Sequence, residues 1–311
     1  MKTAQRLALA TCIATLILVA VGALVRATGS GLGCPDWPTC HGGIVPPGDR
    51  GHEPIIEFSH RFVASVVGLL VIATAIYAWR WYRHVPSVAW VAVAIVPAVV
   101  AQGILGAITV WTELPPEIVA THLLTAMLIL SMQVFVVVGM YRGDPDRDPI
   151  SLPLDRIAGR RALAVLALFA VVVWIGGYMA ESGASTACEG WPLCNGALVP
   201  AADEHEITHM VHRYLAALLA VPIGWTLLGL WKQRRAIAWS RWIAFSALAL
   251  YGSQVMVGAF NVWLTFPDAL TISHTAIAAA LWVTFSAAAS LGLYSPSAAT
   301  VPSTRREAAP A

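Results

Sequence analysis

The sequence predicts an all-α integral membrane protein: eight transmembrane helices as two tandem four-helix bundles, related by a pseudo-twofold axis along the membrane normal. Three observations carry this expectation: apolar runs of bilayer length, basic residues concentrated in alternate connections, and an internal repeat. The chain of 311 residues is 58% hydrophobic and only 12% charged, far from a soluble average. Apolar runs cover about residues 6–25, 59–79, 88–111, 118–141, 161–180, 208–231, 241–264 and 271–293. Each reaches the ~20 residues a helix needs to cross a hydrocarbon core. The first shows no small-residue cleavage pattern and is read as a retained helix, with a signal-peptide h-region as the alternative.

Charge sets the expected orientation. With the N-terminus inside, the inner segments hold Lys2, Arg6, Arg80, Arg83, Arg142, Arg147, Arg156, Arg160, Arg161, Lys232, Arg234, Arg235, Arg241, Arg305 and Arg306, which is 15 of the 19 Lys and Arg. Only Arg26, Arg50, Arg61 and Arg213 fall outside. The positive-inside rule then places both termini in the cytoplasm, with the protein multi-pass in the plasma membrane. The net charge of +2 is spread over inner loops as topology signals, and no nucleic-acid motif accompanies it.

The repeat is read directly. Cys34-Pro35-Asp36-Trp37-Pro38-Thr39-Cys40 matches Cys188-Glu189-Gly190-Trp191-Pro192-Leu193-Cys194 at an offset of 154. His60-Arg61 matches His212-Arg213, and Gln102, Gly106 and Trp111 match Gln254, Gly258 and Trp263, all at an offset of 152. Four spans per copy is an even number, so both copies keep one orientation in the membrane. The expected division is 1–141 as the N-terminal bundle, 142–160 as a polar cytoplasmic linker, 161–294 as the C-terminal bundle and 295–311 as a disordered cytoplasmic tail. Both Cys pairs fall in outer loops, on the oxidising side, which favours Cys34–Cys40 and Cys188–Cys194 disulfides over free thiols or a metal site. Trp37, Trp111, Trp191 and Trp263 fit an interfacial belt.

The chemistry lies in four histidines. His60 and His212 open the second and sixth spans, and His122 and His274 stand near the outer starts of the fourth and eighth. Ionisable residues at membrane depth are costly and usually functional. Two histidines on alternate helices of a bundle suit bis-imidazole ligation of haem iron. The alternative is four hydrogen-bonded interior residues, which their register makes hard to sustain. Zinc is disfavoured because no third or fourth ligand repeats with the pairs. Arg26, Arg61 and Arg213 are candidates to pair haem propionates, with snorkelling to headgroups as the alternative. Glu57 stands one turn before His60, whereas His209 takes its place in the second copy. A carboxylate beside one pair only could take protons or stabilise developing positive charge, so the N-terminal half is expected to hold a substrate and the C-terminal half a permanent haem. The alternative for Glu57 is a solvated carboxylate at a helix N-terminus.

These motifs resemble haem A synthase, of the bacterial type with paired cysteines, over about residues 6–293. The resemblance rests on the run from Thr28 to Pro38, on Glu57-Phe58-Ser59-His60-Arg61, on Gln102 to Gly106 with His122, on His212-Arg213, and on Gln254 to Gly258 with His274. It implies oxidation of the C8 methyl of haem O to a formyl group through hydroxylated intermediates, supplying haem A to terminal cytochrome oxidases. It implies haem b between His212 and His274, haem O as substrate between His60 and His122, and a catalytic Glu57. A haem O synthase is a candidate partner for substrate delivery. Two other readings compete: a di-haem b electron-transfer cytochrome, which leaves Glu57 and the Cys loops unexplained, and a parallel-repeat transporter, for which no unwound midplane helices are seen.

Overall fold

The computed structural model describes residues 2–46, 51–142, 156–232 and 238–293. Most of the expected linker, the C-terminal tail, and Arg50, Arg147, Arg234, Arg235, Arg305 and Arg306 lie outside the described residues. The helices are α1 (Lys2–Ala27), α2 (Glu53–Tyr82), α3 (Pro86–Trp111), α4 (Pro116–Arg142), α5 (Arg156–Glu181), α6 (Glu204–Leu218), α7 (Ala220–Lys232), α8 (Ala238–Trp263) and α9 (Asp268–Leu293), with 3₁₀ turns at Ser30–Leu32 and Ala184–Thr186. Among the described residues there is no strand, only isolated bridges Cys40–Gly43 and Cys194–Ala197. Eight segments are long and apolar enough to cross a membrane, α6 and α7 together forming the sixth. Their outward faces are apolar: Leu69, Ile76, Trp90, Leu228, Trp242 and Phe245 are all exposed. A surface of that kind suits acyl chains, not water.

Two features depart from the sequence expectation. First, α2 and α6 begin well before their histidines, at Glu53 and Glu204. The polar first turns mask them in an apolar-run reading, although Pro54 near the start of α2 and the Asp203 side chain capping His205 and Glu206 are ordinary start signals. His60 and His212 therefore sit about two turns inside their helices instead of opening them, a depth of roughly 10 Å. Second, the sixth span is broken at Leu219. Pro222 has no N–H to offer the Leu218 carbonyl, and its ring crowds that carbonyl. The equivalent position in α2 is Leu70, and α2 runs unbroken.

The first four helices pack in chain order, α1 on α2, α2 on α3 and α3 on α4. In the second half α5 packs on α6, α7 and α9, and α8 packs on α9. The halves meet through α1, α4, α5 and α9, where Val19, Met127, Phe169 and Trp282 share one core. Polar links cross this interface. Ser131 Oγ lies 2.8 Å from Ser286 Oγ and accepts from Trp282 Nε1 at 2.7 Å. Trp174 Nε1 donates to Thr121 Oγ1 at 3.1 Å. Gly177 lets α5 cross close to α4, because a Cβ there would come within 3.1 Å of Ala120 Cα.

Candidate functional site

All four histidines lie near the N-terminal ends of their helices: His60 in α2, His122 in α4, His212 in α6 and His274 in α9. His60 and His122 are close enough to sense each other electrostatically, and so are His212 and His274. The pairs are thus formed within each half. Nδ1 of His60, His122, His212 and His274 is buried without a hydrogen-bond partner. This leaves Nε2 as the nitrogen available to a ligand. Among the described residues no third Cys, His, Asp or Glu joins either pair as a metal-binding group. Each ring also rests against a glycine of the preceding helix. A Cβ on Gly22, Gly106, Gly176 or Gly258 would lie 3.2, 3.1, 2.8 or 3.2 Å from Cε1 of His60, His122, His212 or His274 respectively. Two buried imidazoles in each half, with no further protein ligand among the described residues and a cradle that a methyl group would fill, fit a bis-imidazole haem site.

Gln102, singled out only as a repeat position, has a local task. Its Nε2 donates to the His122 carbonyl at 2.8 Å and its Oε1 accepts from Thr125 at 2.5 Å. In the second copy Ile277 replaces the threonine, and Gln254 Oε1 has no partner.

Above the first pair stands the loop of Cys34 and Cys40, which are bonded with S–S 1.95 Å; Cys188 and Cys194 are bonded likewise at 2.01 Å. Glu57 is only 4% exposed. Its Oε2 accepts from the Cys34 N–H at 2.7 Å, and its Oε1 accepts from Arg61 Nη2. Arg61 Nη1 donates to the carbonyls of Asp36 and Thr39, both at 2.7 Å, and Nη2 also donates to that of Cys34 at 2.8 Å. Asp36 accepts from Thr39 Oγ1 at 2.5 Å and from the N–H groups of His41 and Gly42 at 2.6 and 2.8 Å. The Thr39 hydroxyl, then these backbone donors, hold the Asp36 carboxyl below the ordinary carboxylate range.

The second loop repeats the scaffold with different polar groups. Arg213 Nη1 reaches the carbonyls of Gly190, Leu193 and Pro192 at 2.8, 3.1 and 3.2 Å. Its Nη2 donates to His209 Nε2 at 3.0 Å, where Arg61 meets Glu57 in the first half. Trp37 packs edge-on against Trp111 and Trp191 against Trp263, with ring centroids 6.0 and 5.8 Å apart, pinning each loop to the helix below. These tryptophans do more than mark an interface.

The arginines therefore have partners of their own. Arg61 and Arg213 fasten the disulfide loops. Arg26 lies apart from both, pairing with Glu181 at 3.1 Å and donating to the Ala180 carbonyl at 2.6 Å across the two halves. Sequence reasoning missed the four glycines as neighbours of the histidines. The signal was present: Gly22 and Gly176 stand at the loop offset of 154 and Gly106 and Gly258 at 152.

Fold and site together define a class: a polytopic helical membrane protein with an imidazole pair near the N-terminal ends of the helices in each of two repeated halves. Within it the chain belongs to the cytochrome oxidase assembly protein family, whose model matches residues 5–286. It is 32% identical over 297 residues to the heme A synthase of Shouchella clausii, covering 94% of this chain and 91% of that one. It is 32% identical over 294 residues to the heme A synthase of Symbiobacterium thermophilum, covering 91% and 93%. The heme A synthase of Bacillus mycoides is 30% identical over 277 residues, with 86% of each chain covered.

Proposed function

We propose that the chain is a haem A synthase that oxidises the C8 methyl of haem O to a formyl group through hydroxylated intermediates. The observation that carries the reading is the pair of glycine-backed histidines in each half, with Glu57 beside only the first. His212 and His274 would hold a resident haem b, which supplies redox chemistry that no side chain offers. His60 and His122 would hold the iron of haem O, the substrate. The two halves form four-helix bundles related by an axis along the membrane normal. The Cys loops face the extracytoplasmic side of the plasma membrane and both termini face the cytoplasm, as the basic residues direct. Delivery of so apolar a substrate suits hand-over from a haem O synthase within the bilayer.

Glu57 is the proposed catalytic residue. With both oxygens held by N–H donors, it is a fixed negative charge on the first pair's helix, one turn from His60. Such a charge stabilises positive charge that develops in a substrate during oxidation, without reorganising at the moment of reaction. Propionate pairing by Arg61 or Arg213 would require sharing each guanidinium with loop carbonyls, through the Nε–H that the loops leave unused. Arg26 would have to leave Glu181.

The test is haem extraction and mass analysis from membranes making this protein with a haem O synthase and no other source of haem A. Haem A or its hydroxymethyl precursor is the expected product. Haem B with unconverted haem O, from protein showing intact bis-histidine spectra, would overturn the synthase reading and favour a di-haem cytochrome.

A further inference from the structure

We propose that Gly22, Gly106, Gly176 and Gly258 are positioning residues, one for each histidine, whose missing side chains set the place and tilt of the ligating imidazoles. The inference deepens the haem-ligation reading and rests on it.

The contacts are specific. In each case the glycine lies on the helix that precedes the histidine's own: α1 for α2, α3 for α4, α5 for α6 and α8 for α9. In each case the nearest atoms that an added Cβ would meet all belong to the histidine ring. Glycines that serve close helix crossing have a different signature here. Gly177 would meet Ala120 Cα first, and Gly159 would meet Gly292 Cα at 2.8 Å, so the atom nearest each is backbone. Gly103 and Gly252, on the same helices as Gly106 and Gly258, would meet nothing within 4 Å. A general tolerance for small residues on α3 and α8 therefore does not explain the pattern. Glycine is the poorest helix former after proline, and four of them in membrane helices, each aimed at a ligand, need a reason of this kind.

The physical consequence follows from the ring. Cε1 lies between the two nitrogens, so a wall at that edge limits both sliding and rotation. Backbone at the wall lets the ring sit flush, with Nδ1 packed inward and Nε2 left for the iron. A methyl group at Gly176, 2.8 Å from Cε1, cannot coexist with the ring where it stands. The imidazole is the movable partner, so the helices keep their packing and the ligand shifts. At 3.1–3.2 Å, as for Gly22, Gly106 and Gly258, the ring need yield by only a few tenths of an ångström. Ligand constellations tolerate displacements of no more than about 0.5 Å or 10–20°. The order of effect is thus Gly176 first, and the other three close together.

The experiment uses the full-length protein purified with its haem, comparing Gly176→Ala, Gly258→Ala and Gly252→Ala, with His212→Ala as reference. The readouts are haem per protein, the electron paramagnetic resonance of the oxidised haem, and its midpoint potential. Gly252→Ala is expected to match the parent in all three. Gly258→Ala is expected to keep its haem with a shifted low-spin signal and potential. Gly176→Ala is expected to lose at least half of its haem or to gain a high-spin signal. If Gly176→Ala does not accumulate in membranes, Gly258→Ala decides. Parental haem content, signal and potential in Gly258→Ala and in any Gly176→Ala protein obtained would overturn the proposal. An unchanged low-spin signal in His212→Ala would show that the ligation reading has failed instead.

Discussion

At the scale of single residues, Glu57 shows how much a side chain's partners decide. It could have been a solvated carboxylate at the start of a helix, free to exchange protons with water. In the structure it is buried in the second turn of α2 and held by the Cys34 N–H and the Arg61 guanidinium. Glu57→Gln keeps an acceptor for one of these donors and removes the charge. Conversion of haem O is expected to fall by about 10²–10³-fold, the usual loss when one preorganised electrostatic contact is removed. The spectrum of the haem assigned to His212 and His274 should not change. Extracted haems and the reduced-minus-oxidised spectrum check both halves of that expectation, and undiminished conversion would end the catalytic assignment. The place of Glu57 beside His60 was legible, because helical spacing alone puts the two on one face. Its attachment to Cys34 was not. That contact depends on the path of a loop more than twenty residues away, closed by a disulfide, and no local pattern encodes it.

At the scale of elements, the two disulfide-closed loops are the most constrained connections among the described residues. Each combines a disulfide, a left-handed glycine before a 3₁₀ turn, an arginine bound to loop carbonyls and an edge-on tryptophan pair. The Cys-x₅-Cys repeat makes the loops visible in the sequence, and a cation beside a histidine invites a propionate or a lipid headgroup as its partner. Spacing could not reveal that a folded loop turns its carbonyls back onto the guanidinium. The first loop adds Asp36, where the second has Gly190. Its carboxyl is held below the ordinary range in the folded loop, so the unfolded loop binds the proton more tightly. The stabilisation is therefore complete above the ordinary carboxylate value of about 3.9 and is lost as pH falls below it toward the folded value. Hydrogen exchange at the His41 and Gly42 amides, both bonded to Asp36, should accelerate relative to the second loop as the medium is acidified through that window. Asp36→Asn should show faster exchange at neutral pH and little further acid dependence; an acid response equal to the parent's would assign it elsewhere.

At the scale of the whole molecule, duplication explains why so much was readable: the four spans, the Cys pair and the histidine pair of one copy each recur in the other, so each copy checks the other. What duplication hides is the seam. Residues that join the halves have no reason to repeat, and Ser131, Trp174, Glu181 and Trp282 carried no signal in the sequence. The seam makes a contrast testable. Ser131 accepts from Trp282, which is 1% exposed, and contacts Ser286, which is 2% exposed. Ser131→Ala leaves a buried indole N–H without its acceptor, a loss of about 1–3 kcal/mol. Arg26 and Glu181 form a partly exposed pair, and Arg26→Ala should lose no more than about 1 kcal/mol. Thermal unfolding in detergent should therefore rank Ser131→Ala below Arg26→Ala, although the second substitution removes a charge and the first only a hydroxyl. Both variants should retain the parental haem content, because neither side chain touches a histidine pair. Loss of haem in Arg26→Ala, with stability unchanged, would return that arginine to the propionates and separate it from the seam.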